Sequence, residues 1–321
     1  MYIKEEVSIM SNTTQALSRI EAILDDSSFV EIGARVTARA TDFNMQEKKA
    51  PSDGVITGYG VVNGNLVYVY SQDASVLGGT IGEMHAKKIA SLYEKAMKMG
   101  APVVGLIDCA GLRLQEATDA LNGFGEIYKN MSLASGIIPQ ITAVYGECGG
   151  GLAVLAELSD FVFVEEKKAK LFVNSPNTLD GNYESKLDTS SAKFMAEAGV
   201  VDFVGDEETI ANGVRQLVSM LPSNNAEGTV CTDNQDDLNR VCQDMEAELA
   251  DPALALTDIS DDGVFVEAKA EYAKEMVTGF ILVDGVTVGA VANRTALYDE
   301  NGEKAEELAR VVTTARAYKS A

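Results

Sequence analysis

The stretch Val144-Tyr-Gly-Glu-Cys-Gly-Gly-Gly-Leu-Ala-Val-Leu-Ala156 joins two apolar segments through three consecutive glycines. The apolar run from Ile137 to Val144 predicts a buried strand, and the small apolar residues after Gly151 predict a helix. A helix that begins directly after glycines leaves backbone N–H groups free, and such groups can hold an anion or an oxyanion. Tight packing of the helix against the strand explains the glycines equally well, so the motif alone leaves both interpretations open.

The composition indicates a folded protein that can bury a sizeable core, as one large domain or two. Lys and Arg number 26 against 49 Asp and Glu, which gives a formal net charge of −23 over 321 residues. This charge repels nucleic acid and anionic membrane surfaces, so neither is expected as a partner. An anionic ligand would need local cations or helix N-termini.

Metal binding and export are not indicated by the sequence. His85 is the only histidine, and the four cysteines form no CxxC pair, so no metal site is expected. The first six residues lack the apolar core of a signal peptide. No apolar run reaches about 18 residues, the length that crosses a bilayer. We therefore expect a cytoplasmic protein with reduced thiols and no membrane insertion.

The first 100 residues predict a helix, a hairpin and a second helix. Apolar residues at helical spacing predict an amphipathic helix over residues 12–26, and residues 29–32 predict a short strand. The turn Asn63-Gly64, between two alternating apolar runs, predicts a hairpin. A glycine-rich loop over residues 71–82 then precedes a helix from Glu83 to Met99.

A strand–strand–helix unit recurs about three times in the first 220 residues. After Met99, strands are predicted over 103–107, 137–144, 161–164 and 170–173, and helices over 117–134, after 151, and near 190–198 and 206–220. This repetition predicts an α/β fold with helices outside stacked sheets. Such folds bind ligands at the carboxyl ends of parallel strands, where the triple glycine and the loop Asp108-Cys-Ala-Gly-Leu-Arg-Leu-Gln-Glu116 both lie.

Beyond residue 221 the sequence changes character. Residues 222–262 are polar and acidic, with a helical pattern near 236–249. A second hairpin pattern then follows, with the turn Asp284-Gly285, and it repeats the pattern around Asn63-Gly64. A helix from Glu303 to Lys319 is predicted last. We predict an N-terminal domain over 1–221, a connector over 222–262, and the start of a second, incomplete domain over 263–321.

Six motifs follow one another along the chain. They are Ser71-Gln-Asp, Gly78-Gly-Thr-Ile-Gly-Glu-Met-His-Ala-Lys-Lys-Ile, Asp108-Cys-Ala-Gly-Leu-Arg-Leu-Gln-Glu, Ala134-Ser-Gly-Ile-Ile-Pro-Gln-Ile, Gly146-Glu-Cys-Gly-Gly-Gly and Asp261-Asp-Gly. In this order they resemble the carboxyltransferase subunits of biotin-dependent acyl-CoA carboxylases and decarboxylases, in the crotonase superfamily. The resemblance covers about residues 12–321 and is strongest to the propionyl-CoA and methylmalonyl-CoA group.

The resemblance implies a crotonase-like ββα spiral of stacked sheets with outer helices, plus an incomplete second crotonase-like domain. It implies transfer of a carboxyl group between carboxybiotin and an acyl-CoA of the propionyl, acetyl or methylmalonyl kind, through an enolate. The implied partners are a biotin carboxyl carrier protein and a second carboxyltransferase domain or subunit, in a homo- or hetero-oligomer. No cofactor is expected covalently on this chain, because its only Met-Lys-Met, at 97–99, lies in a predicted helix. We expect that the isolated chain does not complete the transfer.

The resemblance also assigns site residues. Gly150 and Gly151 would supply one N–H group for the enolate oxygen, and Gly111, Leu112 or their neighbour Ala110 would supply the other. The residues expected to bind the acyl-CoA are Gly78, Gly79, Ala110, Gly149 and Arg113. The chain has Cys109-Ala-Gly-Leu-Arg where the family often has Ser-Gly-Gly-Ala-Arg, and Asn174-Ser-Pro where the family often has Thr-Gly-Pro. These differences leave the acyl group open.

Several individual side chains have two interpretations. Cys109 and Cys148 are expected to be small buried thiols rather than nucleophiles, because no histidine is near either in sequence. His85 is expected to cap a helix or pack in the core rather than act in catalysis. Lys87 and Lys88 could meet the phosphates of CoA, although a solvated helix face is favoured.

The Asp108 loop contains two more such residues. Asp108 is expected to shape its loop as a hydrogen-bond acceptor rather than to act as an acid. Arg113 either orders the same loop or contacts the ligand.

Two other functions compete with carboxyl transfer. A self-contained crotonase-type hydratase needs carboxylates beside the oxyanion site, and this chain has Leu152 and Ala153 directly after its glycines. The non-enzymatic alternative is an assembly subunit that binds acyl-CoA without turnover. An assay of carboxyl transfer with an added carrier and a second-domain chain separates that subunit from an enzyme.

Overall fold

A computed structural model describes residues 14–39, 43, 50–178, 187–228, 236–237, 239–242, 245–298 and 304–307. The chain divides into two compact units. Unit 1 comprises Met1–Ala192, Val204–Ser219 and Ser223–Ala226, and unit 2 comprises Lys193–Phe203, Met220–Pro222 and Glu227–Ala321. The units alternate along the chain between residues 192 and 227, so the consecutive domain boundaries expected from the sequence stay a prediction.

A seven-stranded sheet forms the centre of unit 1. Its strands, in spatial order, are β1 (Val30–Glu31), β2 (Val55–Val62), β3 (Asn65–Gln72), β4 (Val103–Ile107), β5 (Gln140–Val144), β7 (Phe161–Glu165) and β9 (Phe203–Gly205). The first three strands pair antiparallel, and β3, β4, β5 and β7 pair parallel. Strands β4 and β5 are buried along their whole length, as parallel strands covered on both faces are.

The helices up to residue 220 lie close to their predicted positions. They are α1 (Gln15–Ile23), α2 (Glu83–Met99), α3 (Ala117–Ala134), α4 (Gly151–Glu157), α5 (Ala192–Glu197) and α6 (Glu207–Met220). The hydroxyl oxygen of Thr14 accepts the N–H of Leu17 and begins α1, whereas Gly100, with φ of 64°, ends α2. In the described part of the chain, no helix has the length and apolar character that a membrane crossing needs.

Two features around the triple glycine differ from prediction. The strand expected from Ile137 begins only at Gln140, because the N–H groups of Ile137 and Ile138 both donate to the carbonyl of Ala134 and continue the end of α3 as a turn. A second, small parallel pair was not predicted. It joins β6 (Glu147–Gly149), which contains the first glycine of the triplet, to β8 (Lys170–Phe172).

Unit 2 contains a three-stranded antiparallel sheet of β10 (Phe265–Glu267), β11 (Met276–Val283) and β12 (Val286–Asn293). The structure confirms the turn Asp284-Gly285 between the last two strands. Its helices are α7 (Met245–Glu248), which is shorter than predicted, and α8 (Pro252–Ile259), which was not predicted.

The helix predicted from Glu303 to Lys319 is wrong where it can be compared. Residues Lys304–Glu307 form β14, which pairs antiparallel with β13 (Ala296–Tyr298). The rest of that prediction lies outside the described residues. Pairing with a neighbouring strand has overridden the helix propensity of Lys-Ala-Glu-Glu.

Candidate active site

Two glycine loops leave the sheet side by side. Ile107 ends β4 and is in register with Val144, which ends β5. The N–H of Tyr145 still donates to the carbonyl of Ile107 at 2.8 Å, so Asp108 and Gly146 begin their loops next to each other. A Cβ atom on Gly146 would lie 2.2 Å from Oδ1 of Asp108, and the glycine is required for this approach.

A third loop, over residues 77–82, packs on the Asp108 loop. A Cβ atom on Gly79 would lie 2.4 Å from the carbonyl oxygen of Asp108. Three backbone hydrogen bonds, each 2.9 Å long, join the two loops: Ala110 N–H to Gly78 O, Ile81 N–H to Gly111 O, and Arg113 N–H to Ile81 O. The structure thus brings together the predicted site residues at 78–79 and 110–113. The loop that leads to the predicted residues 149–151 begins next to them, where Gly146 meets Asp108.

The hydrogen bonds distinguish between the predicted oxyanion donors. The N–H of Gly150 donates to the carbonyl of Phe172 at 2.9 Å, and the N–H of Ala110 is used by Gly78. The N–H of Gly111 lies 3.3 Å from Sγ of Cys109. Among the described residues, no acceptor is found for the N–H of Gly151 or of Leu112. These two groups are therefore the available donors.

Tyr128 on α3 fixes the position of Gly151. Its hydroxyl donates to the carbonyl of Gly151 at 2.6 Å, and its ring lies 5.9 Å from that of Phe124. Burial raises the pKa of Tyr128, so the hydroxyl stays protonated and able to donate. Sequence reasoning missed this residue, since nothing in a helical pattern shows which carbonyl a tyrosine will reach.

Arg113 lies inside the protein, with 1% of its side chain exposed. Its Nη1 donates to Oδ1 of Asp53 at 2.5 Å and to Oε1 of Glu116 at 2.9 Å, and its Nη2 donates to the carbonyl of Thr80 at 2.7 Å. Glu116 in turn accepts the N–H of Glu83, the first residue of α2, at 2.6 Å. This geometry favours the loop-ordering interpretation of Arg113 over direct contact with a ligand.

Asp53 also holds His85, which is completely buried. Its carbonyl accepts from Nδ1 of His85 at 2.9 Å, and its Oδ2 accepts the backbone N–H of His85 at 2.7 Å. Because a carbonyl only accepts, Nδ1 carries the proton, and Nε2 accepts from the amide of Gln72 at 3.1 Å. Burial lowers the pKa of His85 to about 3, so the ring is neutral and serves the packing of the core.

The two lysines of α2 have different surroundings. Lys88 is buried, and its Nζ donates to the carbonyl of Ser52 at 3.0 Å and to the carbonyl of Val55. Burial lowers its pKa to about 8, although three neighbouring oxygens favour the ammonium form. Lys87 is half exposed and pairs with Glu83 at 2.7 Å. The solvated-face interpretation therefore holds for Lys87 and is wrong for Lys88.

Cys109 lies on the Asp108 loop and Cys148 lies on β6, and both are buried. Burial raises the pKa of Cys109 to about 12 and raises that of Cys148 as well, so both thiols are protonated at neutral pH. A protonated thiol is a poor nucleophile, in agreement with the expected packing role. Within the described ranges, no group of three or more His, Cys, Asp or Glu side chains could hold a metal ion. Cys231 lies outside the described residues.

Asp108 acts as an acceptor, as predicted, but its partner was not foreseen. Nη1 of Arg19, on α1, donates to Oδ2 of Asp108 at 2.8 Å, and the guanidinium carbon lies 4.3 Å from the ring centre of Tyr145. A sequence signal existed, because Arg19 lies on the buried face of α1, at helical spacing from Ala16 and Ile23. A charged residue within an apolar stripe indicates a buried partner.

Comparison with known proteins gives consistent results. The model of the carboxyl transferase domain family matches residues 11–320. The propionyl-CoA carboxylase beta chain of Roseobacter denitrificans is 39% identical over 292 residues, which are 87% of this chain and 57% of that protein. The methylmalonyl-CoA decarboxylase subunit alpha of Propionigenium modestum is 38% identical over 296 residues, covering 88% of this chain and 57% of that subunit.

A solved structure is similar over most of the chain. The transcarboxylase 12S structure with hydrolysed methylmalonyl-coenzyme A bound superposes with a TM-score of 0.81 at 31% identity, over 91% of this chain and 58% of that one. The chain thus spans a little over half the length of the proteins that it matches.

Proposed function

The chain belongs to the carboxyl transferase domain family, and on that premise we propose that it binds an acyl-CoA and transfers a carboxyl group between that acyl-CoA and biotin on a carrier protein. It has the crotonase-like carboxyltransferase fold. The observation that carries the proposal is the meeting of three glycine-bearing loops at one edge of the sheet. Gly151 and Leu112 there present N–H groups for which the described residues provide no acceptor.

The chemistry needs stabilisation of an enolate. When the carboxyl group leaves or joins the α-carbon of a thioester, negative charge develops on the thioester oxygen. Two N–H groups aimed at that oxygen stabilise the charge, and loss of one such donor typically costs about 3–4 kcal/mol. We assign the donors to Gly151 and Leu112, with Gly150 as the residue that turns the chain into α4 at φ of 63°.

The described side chains at the site are suited to holding geometry rather than to moving protons. His85 is neutral and bonded at both nitrogens, and the thiols of Cys109 and Cys148 are protonated. In the reaction proposed, the proton and the carboxyl group are exchanged between the enolate carbon and biotin, so no side-chain base is needed. The resident residues orient the acyl-CoA and stabilise the oxyanion.

The hydratase alternative finds no support at the glycine motif. Leu152 and Ala153 are both buried and apolar, and neither can transfer a proton. The non-catalytic alternative, an assembly subunit that binds acyl-CoA without turnover, is left to the experiment below. The resemblance to the family supports two proposed partners, a biotin carboxyl carrier and a second carboxyltransferase domain or subunit.

Binding and transfer can be tested separately. Calorimetric titration of the chain with propionyl-CoA and with methylmalonyl-CoA measures binding, with CoA lacking an acyl group as the control. Transfer is then followed with carboxyl-labelled methylmalonyl-CoA, a biotinylated carrier and a second-domain chain. Label on biotin supports the proposal. Binding without transfer in the complete mixture would favour the assembly subunit, and absence of binding would refute both.

A further inference from the structure

We propose that Arg19 is a positioning residue for this reaction, acting through Asp108 on the loops that begin at Asp108 and Gly146. The inference rests on the proposed function. It adds a side chain from α1 to the loops of the proposed site.

Asp108 is the residue on which the three loops meet. Its carbonyl oxygen occupies the space that a side chain at Gly79 would need, with 2.4 Å left for a Cβ atom. Its carboxylate occupies the corresponding space at Gly146, with 2.2 Å left. Because Gly79 and Gly146 both approach Asp108 with their backbones, Asp108 cannot move toward either residue unless the loops move too. A displacement of about 1 Å in catalytic geometry can cost on the order of 100-fold in rate.

Arg19 contacts this carboxylate and two other groups, Tyr145 and Glu207. Its side chain is 6% exposed, and Nη1 donates to Oδ2 of Asp108 at 2.8 Å. Its guanidinium carbon lies 4.3 Å from the centre of the Tyr145 ring, which belongs to the residue directly before Gly146. Its Nη2 reaches Glu207 at 3.4 Å, on the more exposed side. One guanidinium therefore contacts the first residue of one loop and the residue that precedes the other.

The charge of Arg19 matters as well as its shape. Asp108 places a carboxylate at the base of loops whose N–H groups are proposed to stabilise an oxyanion. Without a cation beside it, this carboxylate would repel the developing negative charge and would accept hydrogen bonds from any loop N–H within reach. Both effects weaken stabilisation of the transition state.

A structural role alone predicts something different. If Arg19 only anchored α1, its loss would lower the fraction of folded chains, and each remaining chain would turn over at the normal rate. Turnover must therefore be expressed per chain that binds acyl-CoA, with the number of binding chains taken from a propionyl-CoA titration. The variants are Arg19→Met, Arg19→Lys, Asp108→Asn and the double variant of Arg19→Met with Asp108→Asn. Glu207→Gln is the matched control, because it removes the ion pair that does not reach the loops.

The proposal predicts that Arg19→Met binds propionyl-CoA with unchanged stoichiometry but loses about tenfold or more in kcat. Arg19→Lys recovers part of the loss, because an ammonium keeps the charge without the planar fork. Glu207→Gln stays within about twofold, as a partly exposed ion pair should. In the Asp108→Asn background, Arg19→Met causes no further loss, because the two residues act as one unit.

Three results would overturn the proposal. They are a kcat per binding chain in Arg19→Met within twofold of wild type, a Glu207→Gln loss as large as that of Arg19→Met, and losses that multiply in the double variant. If Arg19→Met does not fold, kcat per binding chain is compared instead between wild type, Arg19→Lys and Asp108→Asn. A wild-type assembly that transfers no carboxyl group would instead count against the proposed function.

Discussion

Two hairpins, β2–β3 in unit 1 and β11–β12 in unit 2, each pair with a short strand that precedes them in the chain. The turn glycine of each donates its N–H to an aspartate: Gly64 to Asp25 at 3.3 Å, and Gly285 to Asp261 at 2.6 Å. The backbone bonds from the residue after the short strand also correspond, with Ile32 N–H to Thr57 O at 2.7 Å and Ala268 N–H to Thr278 O at 2.9 Å. The hydroxyl of Thr57 also donates to the carbonyl of Ile32, and the hydroxyl of Thr278 donates to the carbonyl of Ala268.

The two hairpins lead to different surroundings. In unit 1, β3 ends at Gln72, and the glycine loop and His85 follow. In unit 2, β12 is followed by Arg294, which pairs with Asp251 at 2.6 Å and Glu267 at 3.1 Å. The hairpin is therefore a repeated scaffold, whereas the chemistry proposed for unit 1 would depend on the loops that come after it.

The largest expected effect comes from the buried arginines of the two units. Arg113→Met leaves the carboxylates of Asp53 and Glu116 buried without their cation and should lower the free energy of unfolding by about 3–5 kcal/mol. Arg294→Met should cost about 3 kcal/mol, at the lower end of that range, because Glu267 is 18% exposed. Urea unfolding measures both. Lys87→Met, which removes a half-exposed pair, is the control and should leave the free energy of unfolding almost unchanged. An Arg113→Met variant as stable as this control would contradict the buried network.

Equivalent glycines of the two hairpins provide the next test. A Cβ atom on Gly58 would lie 2.4 Å from the carbonyl of Val30, and one on Gly279 would lie 2.1 Å from the carbonyl of Val266. Each Gly→Ala change should therefore cost about 2–3 kcal/mol of unfolding free energy. Gly289→Ala, on β12, meets no atom within 4 Å and should change stability by less than about 1 kcal/mol. The correspondence between the hairpins fails if only one of the two substitutions destabilises.

A smaller effect, which depends on pH, is expected on the free energy of unfolding from His85 of unit 1. His85 is the only histidine, and its pKa is lowered from 6.5 to about 3 by burial. Its neutral form stabilises the fold fully above pH 6.5, and that contribution falls as the pH drops from 6.5 toward 3. Relative to His85→Gln, wild type should lose about 2 kcal/mol of unfolding free energy between pH 7 and pH 5. Equal pH dependence of the two proteins would show that the ring is not buried as described.

The sequence predicted the local features of this fold well. The turns at Asn63-Gly64 and Asp284-Gly285 were predicted correctly. Residues that favour a left-handed backbone determine a two-residue turn by themselves when alternating apolar runs flank them. The helix from Glu83 to Met99 was confirmed for the same reason, since spacing and the glycine after it are local. The run from Ile137 failed in its first residues, because apolar character alone does not distinguish a turn from a strand.

For the candidate site, the sequence indicated the loops but not the hydrogen bonds that hold them. The N–H of Gly150 donates to the carbonyl of Phe172 on β8, and nothing in the triple glycine shows that β8 lies beside it. Arg19 and Asp108 are 89 residues apart, and their pairing depends on how α1 packs. Such long-range pairs follow from tertiary structure. One of them had a signal in the sequence, because the charged Arg19 lies on the apolar face of α1.

The central claim is that the N–H of Gly151 stabilises an enolate oxygen, and one pair of substitutions tests it directly. Gly151 is the first residue of α4, a position where proline is well tolerated, and proline there removes the N–H. Gly151→Ala is the matched control, because it adds the same Cβ atom near the Tyr128 hydroxyl and keeps the N–H. We predict that Gly151→Pro lowers kcat/KM for carboxyl transfer by about 100- to 1,000-fold, and that Gly151→Ala loses about tenfold or less. Equal activity of the two variants would contradict the account.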